Sequence, residues 1–307
     1  MTPSPLSASF AKALEAAQDA AGSQNHPAST LYVVATPIGN LADISLRALH
    51  VLAKVDVVAC EDTRHTQQLL RAYGLDRPNA QLLAVHQHNE AEAAQNVLLR
   101  LAQGERVAYV SDAGTPAISD PGARLVAVVR EAGYRVLPLP GASSVTTALS
   151  ASGMTGDDGF VFRGFLASKS AERQLAVQAL AQECRAVVLL EAPHRIEALA
   201  QALSVLGQRR ITVGRELTKQ FEQIDTLAAQ DLPAWFAEKP DRQRGEFVLV
   251  LHNAPVAASQ GEGLRVLQIL LPELPLKTAV KLAAEITGES KNQLYDLALS
   301  LKKTEAS

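Results

Sequence analysis

From Leu31 onward, short apolar runs of strand length alternate with longer amphipathic runs of helical length, and this alternation constrains the fold more than any other feature of the chain. Strand-like runs occupy Leu31–Ala35, Val55–Cys60, Leu82–His86, Arg106–Ser111 and Tyr134–Leu139, with helices predicted between them over Ser45–Ala53, Arg64–Tyr73, Ala91–Gln103 and Ala123–Ala132. Parallel neighbours cannot be joined by a tight hairpin, so the pattern calls for a parallel sheet with crossover helices. After the turn at Pro138–Gly141 the texture continues, with strands predicted at Phe160–Phe165, Ala186–Glu191, Ile211–Glu216 and Phe247–His252. Helices fit Ala171–Glu183, Ile196–Leu206 and Leu232–Glu238, while Arg215–Leu227 reads as a strand pair that makes the second sheet mixed. The expectation is two α/β domains, residues 30–139 and 140–254.

The flanks read differently. Residues 1–29, rich in Ala, Ser and Pro, are expected to form a disordered N-terminal tail in which Phe10–Ala21 has the spacing of a short helix. Ala254–Gly263 is a linker, and beyond it Leu264–Leu271, Lys277–Thr287 and Gln293–Leu301 make a helix-turn-helix-like unit over residues 264–303. Six basic against four acidic residues from Leu264 to Lys303 give that unit weak support for phosphate contact, beside the plainer reading of a packing appendage. A net charge of -3 excludes nucleic-acid binding driven by overall positive charge and leaves room for a local basic face. No apolar run approaches about 18 residues, so no membrane span is expected, and with no apolar leader segment the chain reads as cytoplasmic. Cys60 and Cys184 cannot supply a disulfide framework or a four-ligand zinc site and read as reduced packing thiols.

Familiar catalytic signatures are missing: G-x-G-x-x-G after the first strand, G-x-x-x-x-G-K-[ST], H-E-x-x-H, C-x-x-C and G-x-S-x-G. What remains is a set of small-residue loops at the ends of strands, where open α/β sheets gather their ligands. Thr36–Ser45 keeps its backbone uncluttered with Pro37 and Gly39, and Asp43 is placed to cap the following helix. Ser111–Gly122 packs two Gly, two Pro, two Asp and three hydroxyl residues into one connection. Asp120 and Pro121 fit the start of the next helix, which leaves Gly114, Thr115 and Ser119 without a structural task and points to ligand contact. Pro140–Ser144 opens a helix at the domain junction, where Ser143 or Ser144 reads either as a cap or as a ligand contact. Cys60–His65 ends an apolar strand with two acids, an Arg and a His, and Glu191–Arg195 ends another with one acid, a His and an Arg, a rim that reads as catalytic or as helix-N-terminal polarity. His86 and His88 are better explained by loop polarity than by a metal, and no metal is expected.

Together, Leu31–Ser45, Cys60–Arg64, Ser111–Gly122, Pro140–Ser144, Glu191–Arg195 and Arg244–Val250 resemble the ribosomal RNA small subunit methyltransferase I family, of the tetrapyrrole-methylase-like class. The resemblance runs from about Thr30 to His252, and the terminal helices resemble the family's helix-turn-helix extension. It implies a tetrapyrrole methylase fold of two α/β domains with S-adenosyl-L-methionine in the cleft between them, and a homodimer. The implied reaction is methyl transfer to the ribose 2'-oxygen of a cytidine in the decoding region of 16S ribosomal RNA, free or in the small ribosomal subunit. Tetrapyrrole-methylating relatives carry Gly-Gly-Asp-Pro where this chain has Ala113–Pro116, and a Gly-rich loop at Thr36–Gly39. Those departures weigh against the alternative, a small-molecule methyltransferase of tetrapyrrole or diphthamide type. Intact cofactor loops weigh against a binding-only RNA module.

By the same resemblance, Pro37, Gly39, Ala113, Gly114, Thr115, Ile118, Ser143, Ser144, Glu191, Ala192, Gly245, Glu246 and Phe247 are expected around the cofactor. Glu61, Asp62 and Arg64 are expected at the catalytic edge: adjacent acids facing a polyanion make sense if one orients or deprotonates the hydroxyl, with Arg64 offsetting their charge. Arg64, His194, Arg195, Lys277, Lys281 and Lys291 are the expected RNA contacts.

Overall fold

The computed structural model describes residues 5–86, 89–155, 159–254 and 262–305. It contains a helix α1 (Pro5–Ala21), then β1 (Thr30–Val34), α2 (Leu46–Lys54), β2 (Val57–Cys60), α3 (Thr63–Ala72), β3 (Leu82–Ala84), α4 (Glu90–Ala102), β4 (Arg106–Val110), α5 (Ala123–Glu131) and β5 (Arg135–Leu139). These five strands form one parallel sheet in the order β3-β2-β4-β1-β5. The side-chain period of two divides each strand between two cores. Tyr32, Val34, Val58, Cys60, Ala108 and Val110 pack under α2 and α3, while Leu31, Val57, Ala59, Val107 and Tyr109 pack under α4 and α5. Burial on both faces is why these strands read as continuous apolar runs. Because the strands are parallel, the loops after β1, β2 and β4 emerge at one edge.

The second domain follows as α6 (Ser144–Ala151), β6 (Phe160–Gly164), α7 (Ser170–Gln182), β7 (Ala186–Glu191), α8 (Ile196–Leu203), β8 (Arg210–Arg215), β9 (Gln223–Ala228), α9 (Leu232–Glu238) and β10 (Phe247–Leu251). Its sheet, β6-β7-β10-β8-β9, is mixed: β6 and β7 are parallel and the remaining pairs antiparallel. Residues Val187, Leu189, Phe247, Leu249 and Leu251 face α7 to α9. On the other face Val188, Val248 and Val250 join Val145 and Ala148 of α6 and, from the first domain, Ile38. This apolar seam fixes the two domains against each other. Three last helices, α10 (Glu262–Leu270), α11 (Leu276–Thr287) and α12 (Lys291–Glu305), share their own core of Leu267, Val280, Ala283, Leu294 and Ala298. Most of the expected linker, residues 255–261, lies outside the described residues.

The expected disordered tail is corrected. Phe10, Ala13, Leu14 and Ala17 recur at helical spacing and bury one stripe of α1 against the first domain, with the Phe10 ring edge-on to Tyr73 at 5.0 Å. Two expected caps also differ. Ser45, not Asp43, caps α2, its Oγ accepting from the Ala48 N–H at 3.1 Å. At α5 the N-cap is Gly122 rather than Asp120, and Glu90 of α4 supplies the side chain: its Oε1 accepts from the N–H groups of Gly122, Arg124 and Leu125 at 3.0, 3.1 and 3.3 Å. No helix among the described residues is long and apolar enough to cross a membrane.

Candidate functional site

A cleft of about 370 Å³ opens between the two domains, at the edge where the loops after β1 and β4 emerge. Those loops are clamped together: Thr36 and Gly114 exchange backbone hydrogen bonds of 2.9 and 3.0 Å, and Thr36 Oγ1 donates to the Ser111 carbonyl at 3.1 Å. Gly114 has φ +82°, and a Cβ there would press on Ile38 Cγ2 at 3.3 Å, so glycine alone lets the loop lie this close. Thr115 Oγ1 donates to the Ala142 carbonyl at 3.0 Å and ties the same loop to the entry of α6. Further along, Ala117 and Ser119 both take positive φ, 66° and 69°. Left-handed backbone at non-glycine residues costs on the order of 1–3 kcal/mol each and persists only where surroundings enforce it. Here Tyr109 does so by donating to the Pro121 carbonyl at 2.6 Å, and Ser119 Oγ sits only 2.9 Å from where a Cβ on Gly164 would project.

Most residues expected around the cofactor converge on this cleft. Ala113, Gly114, Thr115, Ile118, Ser143 and Ser144 line it from the first domain and the hinge, and Glu191, Ala192, Glu246 and Phe247 from the second. The last two motifs, 55 residues apart, meet because β10 runs antiparallel to β7 with Phe247 opposite Glu191. Ser143 is the N-cap residue of α6 by position, yet its side chain makes no capping hydrogen bond. Pro37, Gly39 and Gly245 stand outside the lining of the cleft. A Cβ on Gly39 would collide with Lys219 Cγ, and one on Gly245, at φ +89°, with the Glu216 side chain. These glycines permit close packing behind the walls. Ile38 contributes to the wall instead of its neighbours, Ser119 lines it as its loop suggested, and Asp112, Asp120, Phe165 and Leu217 were missed as lining residues. Phe165 carried a signal, a large aromatic just past a strand's carboxyl end that stays half exposed, whereas Leu217 carried none.

Charge is placed unevenly. The Glu191 side chain is fully buried, with Oε1 accepting from the Ala192 N–H at 2.9 Å and ion-paired to Arg195 Nε at 3.0 Å. Its other oxygen, Oε2, is buried with no partner in the protein. An unpartnered buried carboxylate oxygen is costly unless a ligand donates to it. Arg195, expected as an RNA contact, turns its guanidinium inward, pairing with Glu191 and donating to the Leu166 carbonyl. His194 beside it is exposed. On the same second-domain side, Lys219 Nζ bridges Glu216 Oε1 and Glu246 Oε2, each at 2.9 Å.

At the rim after β2, Asp62 and Arg64, expected at the catalytic edge, are engaged with each other and with the start of α3. Asp62 caps α3, its Oδ1 accepting from the Arg64 N–H at 2.8 Å and the His65 N–H at 3.4 Å. Arg64 folds back onto Asp62 with a 2.9 Å ion pair, which holds that carboxyl at about 2, and the guanidinium is otherwise in solvent. Neither lines the cleft. Glu61 differs: it is half-buried, and burial, then Asp112 and Asp120, push its carboxyl up. Burial likewise raises Asp120, with Ser111 opposing and Asp112 adding to the rise. Lys277, Lys281 and Lys291 are exposed on α11 and α12, Lys281 lying 4.0 Å from Glu285. No metal-binding group of His, Cys, Asp and Glu exists among the described residues, and His88 lies outside them.

The sequence model of the family described as Tetrapyrrole (Corrin/Porphyrin) Methylases matches residues 30–233, and that of the RsmI C-terminal HTH domain matches residues 257–302. Among curated proteins, the chain is 48% identical over 273 residues to ribosomal RNA small subunit methyltransferase I of Escherichia coli O157:H7, covering 88% of this chain and 94% of that one. It is 49% identical to the protein of the same name from Pseudomonas aeruginosa, covering 89% and 97%. Among solved structures, the methyltransferase CobJ matches with a TM-score of 0.53 at 18% identity, over 73% of this chain and 94% of that one. The cobalt precorrin-4 methyltransferase CbiF matches with a TM-score of 0.51 at 19% identity, over 72% and 94%. At such identities these two matches speak for the fold alone.

Proposed function

We infer the activity from one premise: this chain belongs to the Tetrapyrrole (Corrin/Porphyrin) Methylases and, among them, to the ribosomal RNA small subunit methyltransferases I. It is a methyltransferase, and its substrate is the ribosomal RNA of the small subunit. The finer reading is transfer of a methyl group from S-adenosyl-L-methionine to the ribose 2'-oxygen of a cytidine in 16S ribosomal RNA, by a cytoplasmic homodimer.

The interdomain cleft carries this reading. Its walls combine close-lying backbone at Gly114, hydroxyls at Thr115, Ser143 and Ser144, apolar surface at Ile38 and Phe247, and the unpartnered Glu191 Oε2. That mixture suits a molecule with an apolar ring, a sulfonium and several N–H and O–H donors, at least one of which would satisfy Glu191. When bound, the cofactor supplies an electrophilic methyl group. The protein's own contribution is to fix the cleft so that an incoming hydroxyl is aligned, an effect worth roughly 7–11 kcal/mol of barrier when geometry is held well. Ala113–Pro116 in place of an acidic loop, and the added α10–α12 unit with its exposed lysines, favour RNA over a porphyrinoid.

The experiment is methylation of small ribosomal subunits, and of naked 16S RNA, with isotopically labelled S-adenosyl-L-methionine, followed by mass mapping of nucleosides. Label on the ribose of one cytidine is the expected result. Label on a base, or on a porphyrinoid and not on RNA, would overturn the reading.

A further inference from the structure

We infer that Asp120 is the group that takes the proton from the attacking ribose hydroxyl, with Asp112 and Glu61 as positioning neighbours; the inference rests on the ribose-methylation reading above. Its first support is that Asp120 is free of the capping task, its one structural partner being the Ser111 side chain. By sequence, Asp120 looks like the cap of α5, but Glu90 performs that task through three backbone N–H groups. Asp120 instead lines the cleft, on a segment that Tyr109 and the Ser119–Gly164 contact hold in a strained shape. Strain of this kind is kept where it aims a side chain.

The second support is the surroundings. Asp112 stands on the same loop and also lines the cleft; the Asp62 N–H donates to its Oδ1 at 3.3 Å, which docks the β2 rim, and with it Glu61, beside the β4 loop. Glu90 from α4 and Tyr109 from β4 complete the groups near Asp120, and Tyr109 feels the charges of Glu61, Glu90 and Asp120 together. No cation is ion-paired to Asp120 or Asp112 among the described residues, whereas Asp62 has Arg64 and Glu191 has Arg195. Across the cleft, the unpartnered Glu191 Oε2 marks the same space as a ligand site. A half-buried carboxylate among like charges holds a proton more readily than a free one, which suits it to general-base work.

The step balances simply. As the hydroxyl oxygen forms its bond to the methyl carbon of a sulfonium donor, the carbon–sulfur bond breaks with its electron pair on sulfur, which departs as a neutral thioether. The hydroxyl proton passes to Asp120 and then to solvent.

The test is single-turnover methylation of small subunits by the parent, Asp120→Asn, Asp120→Glu and Asp112→Asn, with cofactor affinity by isothermal titration. Asp120→Asn is expected to slow transfer roughly 10²-fold or more while binding cofactor about as well as the parent. The parent's rate is expected to fall on an acidic limb that vanishes in Asp120→Asn, persists in Asp120→Glu and moves to lower pH in Asp112→Asn. A readout without turnover is the melting temperature. An aspartate whose folded proton affinity is raised costs stability when ionised, so Asp120→Asn gains stability at pH 8, and the gain fades as pH falls through the raised folded value and is gone below the ordinary aspartate value of 3.8. A parent that methylates normally beside an Asp120→Asn variant slowed less than about tenfold overturns the inference alone. Cofactor affinity falling as far as the rate also overturns it. A parent inert on small-subunit RNA overturns the function from which it starts.

Discussion

Gly114 shows how little freedom single positions have here. Its φ of +82° and the Ile38 methyl 3.3 Å from a would-be Cβ each exclude a branched side chain. Gly114→Val is expected to weaken S-adenosyl-L-methionine binding by at least about tenfold, consistent with strain of about 1–3 kcal/mol, while circular dichroism shows the fold retained. Affinity equal to the parent's would move the site elsewhere. Glu90 is the second such position, because one oxygen serves three N–H groups of another helix. Glu90→Ala is expected to lower stability by about 0.5–2 kcal/mol in urea titration, the range for losing a good cap, with Glu90→Gln losing less.

At the scale of elements, α1 is the piece whose docking depends most on protonation. His26, just beyond it, and His50 of α2 lie with ring centroids 4.7 Å apart, and His50 Nε2 is buried without a partner. Burial lowers both imidazoles; the Gln24 carbonyl opposes this at His26, while His26, Lys54, Arg47 and Arg106 supply repelling charge. A histidine lowered in the folded state contributes stability above its ordinary value of 6.5, and that contribution is lost as pH falls below it. Hydrogen exchange, corrected for intrinsic rates, is therefore expected to quicken in α1 between pH 7.5 and 5.5 before it does in the first sheet, and His50→Phe is expected to suppress the change. Equal acceleration in both would refute local undocking.

Across the whole molecule, two sheets meet on one apolar seam, and the last three helices keep a core of their own. Truncation after Ala254 is accordingly expected to leave a folded protein with parental cofactor affinity and weaker RNA binding. If Lys277, Lys281 and Lys291 each meet a phosphate, the slope of log K against log salt drops by about 0.7–0.9 for every phosphate that truncation leaves unneutralised. RNA affinity and salt slope unchanged by truncation would make the unit a packing appendage.

The alternation of short apolar and long amphipathic runs determined two α/β domains by itself, because strand and helix periods are local properties of consecutive residues. Small-residue loops at strand ends were legible for the same reason, and Gly114, Thr115 and Ser143 do face the cleft. What the chain could not declare was which partner each polar group takes. Asp120 and Asp62 look alike in sequence, an acid before a helix, yet Asp62 is held by its own helix while Glu90, 32 residues before Gly122, relieves Asp120. Arg195 reads as a surface cation and is turned inward by a buried carboxylate four residues earlier, at the end of β7. Only the packing of distant segments decides such competitions, since a hydrogen bond goes to whichever partner the tertiary fold brings within about 3 Å.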